Sequence, residues 1–118
     1  MNTGGQLFSF RRVLCAGVAA LWLALVCGCQ TVSIPEISPA VKAAGVGQGA
    51  TEASLQNGRR VFSTRCIACH GAEPIGKYSS EEWKGIINKM EKRAKLTGSQ
   101  KADVLAFVLA ARQATPTQ

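Results

Sequence analysis

Two cysteines and a histidine stand together in the segment Cys66-Ile67-Ala68-Cys69-His70. This is the five-residue signature at which a c-type haem is attached covalently. Two thiols three residues apart can each add to one vinyl group of the same haem, and the adjacent histidine is then placed to bind the iron. Because His70 is the only histidine in the chain, no second imidazole competes for that role. The motif predicts one covalent haem c.

Two other kinds of site use a Cys-x-x-Cys pair. A tetrahedral zinc site takes four ligands, and outside the motif the only further cysteines lie in an apolar N-terminal stretch: Cys15, Cys27 and Cys29. A thioredoxin-like redox pair belongs beside a βαβ pattern, and no β-branched run with that period occurs here. Haem attachment is favoured over both alternatives.

The N-terminal segment has the features of an export signal. Arg11 and Arg12 precede an apolar run over residues 13–26, which is short for a membrane span. The run ends in the letters LVCGC, residues 25–29, which resemble the lipobox of bacterial lipoproteins. That resemblance implies cleavage before Cys29 and lipidation of its thiol. An uncleaved signal anchor is the alternative.

The lipoprotein interpretation accounts for every cysteine. Cys15 and Cys27 leave with the signal peptide, residues 1–28, and Cys29 carries the lipid, so no disulfide is predicted. Haem attachment of this type takes place outside the cytoplasmic membrane, which agrees with an export signal. The prediction is an exported protein on the periplasmic side of a bacterial membrane, held there by its lipid anchor.

Composition divides the remaining chain into three parts. Residues 29–50 are rich in Pro, Gly, Ala and Ser without an apolar period, which predicts a lipidated cysteine followed by a mobile, extended tether. Residues 51–114 predict one folded domain, and residues 115–118 a short tail. Since so small a domain has few side chains for a core, a covalent haem would supply apolar surface for them to pack against.

Apolar periodicity predicts an all-α domain of about three helices packed around the haem. The first helix covers about residues 52–65. Its apolar face consists of Leu55, Gly58, Val61 and Phe62. Glycine in the middle of a helix costs about 1 kcal/mol relative to alanine. A close crossing by another helix would explain the glycine at position 58.

The other two helices each begin at a capping box. The second begins at Ser79, with Glu82 three residues later. Its apolar stripe contains Trp83, Ile86, Ile87, Met90 and Ala94. The third begins at Thr97, with Gln100 three residues later, and ends near Arg112. Its inward side chains are Val104, Phe107, Val108 and Ala111.

These features resemble the small monohaem cytochromes c of bacteria, over about residues 55–111. The resemblance implies that the first and last helices cross at Gly58 and Phe107, and that a methionine is the sixth iron ligand. Met90 is the only methionine besides Met1, so it is the expected ligand. In this family a proline carbonyl usually accepts the histidine N–H, but the excursion after the motif is short here, with Pro74 only four residues beyond it.

The predicted function is a single-electron carrier in a periplasmic or membrane-associated redox chain. Ligation by His70 and Met90 leaves no open iron position, and the thioether favours the reduced iron. The alternative is a haem-based ligand-binding or sensor module with an open or lysine-bound sixth position; the lysines near in sequence are Lys77, Lys89 and Lys92. An enzyme is not expected, because a haem peroxidase needs a distal acid–base group and no second histidine exists.

Charge indicates the kind of partner. The chain is formally +7, and loss of Arg11 and Arg12 with the signal leaves +5. Such a surface predicts acidic redox proteins, or a membrane oxidase or reductase, as partners of a monomer. Nucleic acid is not expected, since no aromatic residues interleave the charges.

Tyr78 and Trp83 are either packing residues or hydrogen-bond donors to the haem propionates.

Overall fold

The computed structural model describes residues 32–115. Four α-helices lie in this range: α1 Pro39–Gly47, α2 Glu52–Val61, α3 Ser80–Met90 and α4 Gly98–Ala114. Within these residues there is no strand, so the predicted all-α class is confirmed. None of the helices in the described range combines the length and the apolar character that crossing a membrane requires.

Helices α2 and α4 cross where Gly58 lies against Phe107. A Cβ built on Gly58 would stand 2.6 Å from the carbonyl carbon of Asp103 and 2.8 Å from the Phe107 Cβ, which leaves no room for a methyl group. The Asn57 side-chain amide donates to the Asp103 carboxylate across the same crossing. Leu55 and Phe107 are fully buried there. The predicted crossing at Gly58 and Phe107 is confirmed.

We expect Gly58→Ala to destabilise the domain. The added methyl group would collide with the α4 backbone, which is too rigid to yield, and overpacking of this kind costs about 1 to 3 kcal/mol. That cost exceeds the gain in helix propensity of up to about 1 kcal/mol. Urea denaturation of the full chain measures the net loss in the free energy of unfolding, expected at up to about 2 kcal/mol after the propensity gain of about 1 kcal/mol is subtracted.

Gly85→Ala is the matched control. Gly85 is also inside a helix, α3, but a Cβ built on it meets nothing within 4 Å. Only the difference in helix propensity remains, so the free energy of unfolding of this variant should rise by up to about 1 kcal/mol. Equal effects of the two substitutions would contradict the close crossing.

Both predicted capping boxes are present. The Ser79 hydroxyl accepts from the Glu82 N–H at 3.2 Å, and the Glu82 carboxylate accepts from the Ser79 N–H at 2.8 Å. Hydrogen bonding from Ser79 to this carboxylate, chiefly from the Ser79 backbone N–H, lowers the pKa of Glu82. Thr97 and Gln100 repeat the arrangement at the start of α4, with distances of 3.2 and 3.0 Å. The starts of α3 and α4 are therefore confirmed.

The predicted first helix changes its pitch before it reaches the motif. The α-helix ends at Val61, and the chain continues as a π-helical turn, Phe62–Cys66, in which the Ile67 N–H reaches the Phe62 carbonyl oxygen at 3.4 Å. The prediction of α-helix to residue 65 is thus wrong for its last turn. Such turns occur often at functional sites. Here the turn ends at Cys66, the first cysteine of the motif.

The prediction of an extended tether is wrong for the segment that forms α1. The Ser38 hydroxyl caps this helix by accepting from the Val41 N–H at 3.3 Å, and Pro39 follows as its first residue. Val41 and Gly45 are buried, and Gly45 lies against Leu55 so closely that a Cβ there would come within 2.6 Å of its Cδ1. Helix α1 packs on α2 and α4. Packing, rather than propensity, stabilises so short a helix.

Residues 32–38 are also held to the domain. The Arg59 guanidinium donates from Nε to the Pro35 carbonyl oxygen at 2.8 Å and pairs with the Glu36 carboxylate at 2.6 Å. In the first turn of α1, the Lys42 ammonium lies 2.6 Å from the Glu52 carboxylate and lowers the pKa of that carboxyl. The folded unit therefore begins well before residue 51, with α1 as one of its elements.

Candidate functional site

A cavity of about 340 Å³ opens between the π-helical turn, the following loop and helix α3. We call it the site cavity. Apolar and aromatic side chains make up most of its wall: Phe62, Ile67, Tyr78, Trp83, Ile86 and Ile87. Three of the four predicted haem-site residues also line it: Cys66, His70 and Met90. The volume lies within the range of small-molecule and cofactor sites.

An aromatic cluster forms the inner wall of the cavity. Phe62 lies between Trp83 and Phe107, with ring centroids 6.2 and 6.1 Å away, and Tyr78 meets Trp83 edge-on at 5.3 Å. The Trp83 indole N–H donates to the Ile75 carbonyl oxygen at 2.9 Å, and only 3% of this residue is exposed. Trp83 is therefore a packing residue, since its only donor is already engaged inside the protein.

The only histidine is oriented by its neighbour. His70 Nδ1 lies 3.2 Å from the Gly71 carbonyl oxygen. Because a carbonyl can only accept, this contact places the proton on Nδ1 and leaves the lone pair of Nε2 for a metal. Metal-ligating histidines are commonly held in this way by a hydrogen bond on the other ring nitrogen. In the family that the sequence resembles, the histidine N–H is usually accepted by a proline carbonyl. Here the Pro74 carbonyl oxygen accepts from the Lys77 N–H at 2.9 Å, in a 3₁₀ turn over Ile75–Lys77.

The two motif cysteines have different surroundings. Cys66 is half-buried at the cavity wall, and burial raises the pKa of its thiol, which keeps it protonated at neutral pH. Cys69 is exposed and does not line the cavity. The structure therefore brings one motif thiol, the imidazole and the thioether together, and leaves the second thiol outside.

Helix α3 positions Met90 through its apolar stripe. Trp83 and Ile87 are buried, whereas Ile86 and Met90 are half-buried along the cavity wall, and the helix ends at Met90. The predicted stripe is confirmed from Trp83 to Met90. Beyond Met90 the chain forms turns rather than the helix that the stripe predicts as far as Ala94.

The rim of the cavity carries charged side chains, among which the sequence prediction gave Glu73 no role. Glu73 lines the cavity and pairs with Lys77 at 2.7 Å, and hydrogen bonding to Glu73 raises the pKa of Lys77. The Lys77 ammonium also lies 5.1 Å from the centroid of the Tyr78 ring. Among the described residues, Lys89 is the one lysine or arginine that lines the cavity. The sequence prediction named Lys77 and Lys89 only as alternative iron ligands.

Comparison of the chain with protein-family models, with curated proteins and with solved structures found no match in any of the three. Among residues 32–115, no group of three or more His, Cys, Asp or Glu side chains is placed to hold a metal ion. Cys29 lies outside the described residues. The haem motif and the composition of the site cavity are what support a functional proposal.

Proposed function

We propose that this protein is a monohaem cytochrome c that carries single electrons in a redox chain on the periplasmic side of a bacterial membrane. The observation that carries the proposal is that Cys66, His70 and Met90 line one apolar cavity. The donor set of thiol, imidazole and thioether fits a haem c, with Cys69 as the second attachment point. A bound haem would supply one-electron chemistry at its iron.

The residues of the chain have distinct parts in this function. Cys66 and Cys69 would hold the haem, and His70 and Met90 would ligate its iron. The wall formed by Phe62, Trp83 and the two isoleucines excludes water, so little solvent reorganises when the charge in the site changes. Two strong ligands leave no position for a substrate, which favours a carrier over an enzyme.

The alternative function is a ligand-binding or sensor module with an open iron position. Because Met90 lines the cavity together with His70, ligation by both residues is favoured. Carbon monoxide distinguishes the two functions: the reduced wild-type protein should leave it unbound. Stoichiometric binding with a shifted Soret band would instead indicate an open position and favour the sensor.

The placement at the membrane depends on Cys29, the predicted lipidated residue. We expect Cys29→Ser to abolish lipidation, so that the protein either appears in the soluble fraction or keeps its signal peptide. Membrane fractionation and intact mass measure both outcomes. Retention at the membrane with an unchanged mass would favour the signal anchor instead. Cys27→Ser is the control, since Cys27 is predicted to leave with the signal, and its mature mass should equal that of the wild type.

A further inference from the structure

The largest fully buried side chains lie on α2 and α4, the two helices on which α1 packs. They are Leu55 and Val61 on α2, and Val104, Phe107 and Val108 on α4. Helix α1 adds Val41, of which 4% is exposed. None of these six side chains lines the site cavity. We call α1, α2 and α4 together the helical scaffold, and this part of the core lies outside the cavity wall.

Direct contacts close the helical scaffold. The crossing of α2 with α4 is one of them. On α1, Gly45 lies against the Leu55 side chain too closely for a Cβ. The Gln48 side-chain amide donates to the Gln113 side-chain oxygen at 2.8 Å and connects the end of α1 to the last turn of α4. These contacts join helices that are distant in sequence, and the protein makes all of them with its own side chains.

The residues that line the site cavity occupy one continuous stretch of the chain. All of them lie between Phe62 and Met90, after the end of α2 and before the start of α4. We call residues 62–90 the cavity segment. Its helix α3 packs on α4 and places the buried residues Trp83 and Ile87 between the cavity and the scaffold. Because much of its apolar surface faces the cavity, the burial of that surface depends on what fills the cavity.

Folding of the helical scaffold brings the two ends of the cavity segment together. Asn57, which precedes the segment, donates a hydrogen bond to Asp103, which follows it. Bringing the ends of a loop together has an entropic cost that grows with the length of the loop. Once α2 and α4 are in contact, the segment closes without this cost. The scaffold therefore favours the later packing of α3.

We infer that the helical scaffold folds before haem is attached, and that the cavity segment closes when haem is bound. This inference rests on the proposed function, since it takes haem c as the bound group, and it adds the order of assembly. The enzyme that attaches haem would receive a partly folded chain, with Cys69 exposed and Cys66 half-buried. At each thiol the S–H bond and the π bond of a vinyl group break, while a C–S and a C–H bond form, so no oxidant is needed.

Hydrogen exchange of a haem-free chain tests this order. The full chain with Cys66→Ala/Cys69→Ala, checked by absorbance for the absence of haem, should show a cooperative urea transition by circular dichroism. Mass spectrometry should find that the backbone amides of α2 and α4 exchange at least about tenfold more slowly than those of α3. In the haem-loaded wild type, α3 should gain protection. The reduced wild-type chain made without attachment enzymes should repeat the haem-free pattern, which excludes an effect of the alanines.

Two truncations of buried side chains separate the scaffold from the cavity segment. Val41 on α1 and Ile87 on α3 are 4% and 5% exposed, so their burial is matched. In the haem-free chain, Val41→Ala should lower the urea midpoint and speed the exchange of α2 and α4, because it removes packing within the scaffold. Ile87→Ala should leave both unchanged. In the haem-loaded protein, each substitution should lower the midpoint.

Two results would overturn the inference. A haem-free chain without a cooperative transition and without protected amides would show that folding depends on haem. Equal losses from Val41→Ala and Ile87→Ala in the haem-free chain would show that α3 folds together with the scaffold. Haem staining of the wild-type protein tests the proposed function separately: a wild type that never acquires haem overturns that function, whatever the exchange of the haem-free chain shows.

Discussion

Replacing Cys66 and Cys69 together by alanine should abolish covalent haem retention. Each thiol of the motif is expected to form one thioether bond, so the double variant has no covalent link to the cofactor. The wild-type protein should keep its haem through denaturing electrophoresis and acid–acetone extraction, and the double variant should lose it in both. Haem staining of the gel and the intact mass measure the difference, which is all or none.

Cys29→Ser is the control for this experiment, because it also removes a cysteine but lies outside the motif. It should retain haem like the wild type. A double variant that still carries haem after denaturation would show that the thioether assignment is wrong. The exposure of Cys69 makes the result informative, since the site cavity includes only the other thiol of the motif.

Replacing Met90 by leucine should change the iron site far more than the fold. Leucine keeps most of the apolar volume of a half-buried side chain, so the free energy of unfolding should fall by less than about 1.5 kcal/mol. We expect the far-red sulfur-to-iron band to disappear, carbon monoxide to bind at the vacated position, and the reduction potential to fall. The potential falls because a ligand that favours reduced iron is gone.

Ile86→Leu is the matched control for Met90→Leu. Ile86 is also half-buried, also on α3 and also on the cavity wall, but it has no donor atom. Its spectrum and potential should stay close to those of the wild type. If the spectrum and potential of Met90→Leu match those of this control, Met90 is a packing residue. The proposed electron carrier would then have no sixth iron ligand.

The parts of the fold that the sequence predicted correctly depend on local chemistry. Ser79 with Glu82, and Thr97 with Gln100, satisfy backbone groups within four residues, so their effect does not depend on the rest of the fold. Gly58 marked a close contact because only such a contact explains a glycine there. Residue type and spacing are sufficient in both cases.

Helix α1 was missed because its stability comes from distant residues. Ser38 and Pro39 are a recognisable helix start, but only two of its residues, Val41 and Gly45, are buried, and the alanine-rich and glycine-rich composition masked this spacing. Its contact with Leu55 depends on the tertiary arrangement. The π-helical turn before Cys66 was missed for a related reason, since its residues have no local signal that separates it from α-helix.

The candidate site was only partly predictable. The stripe on α3 predicted that Met90 faces inward, and Met90 does line the cavity. The haem-binding role that the motif predicts for Cys66, Cys69 and His70 stays a prediction. Spacing does not encode the hydrogen bonds that set the tautomer of His70 and engage the indole N–H of Trp83. It also does not encode the packing that leaves Cys69 exposed. Glu73 and Lys89 reach the cavity rim only because the loop and α3 come together there.

The absorption spectrum of the oxidised wild-type protein, produced with haem-attachment machinery, tests the central claim most directly. Ligation by His70 and Met90 predicts a Soret band that remains with the polypeptide after denaturation, and a far-red sulfur-to-iron band that is present only in the folded state. A folded protein that has the first band and lacks the second would contradict ligation by Met90. A folded protein with no haem absorbance would contradict the cytochrome c function itself.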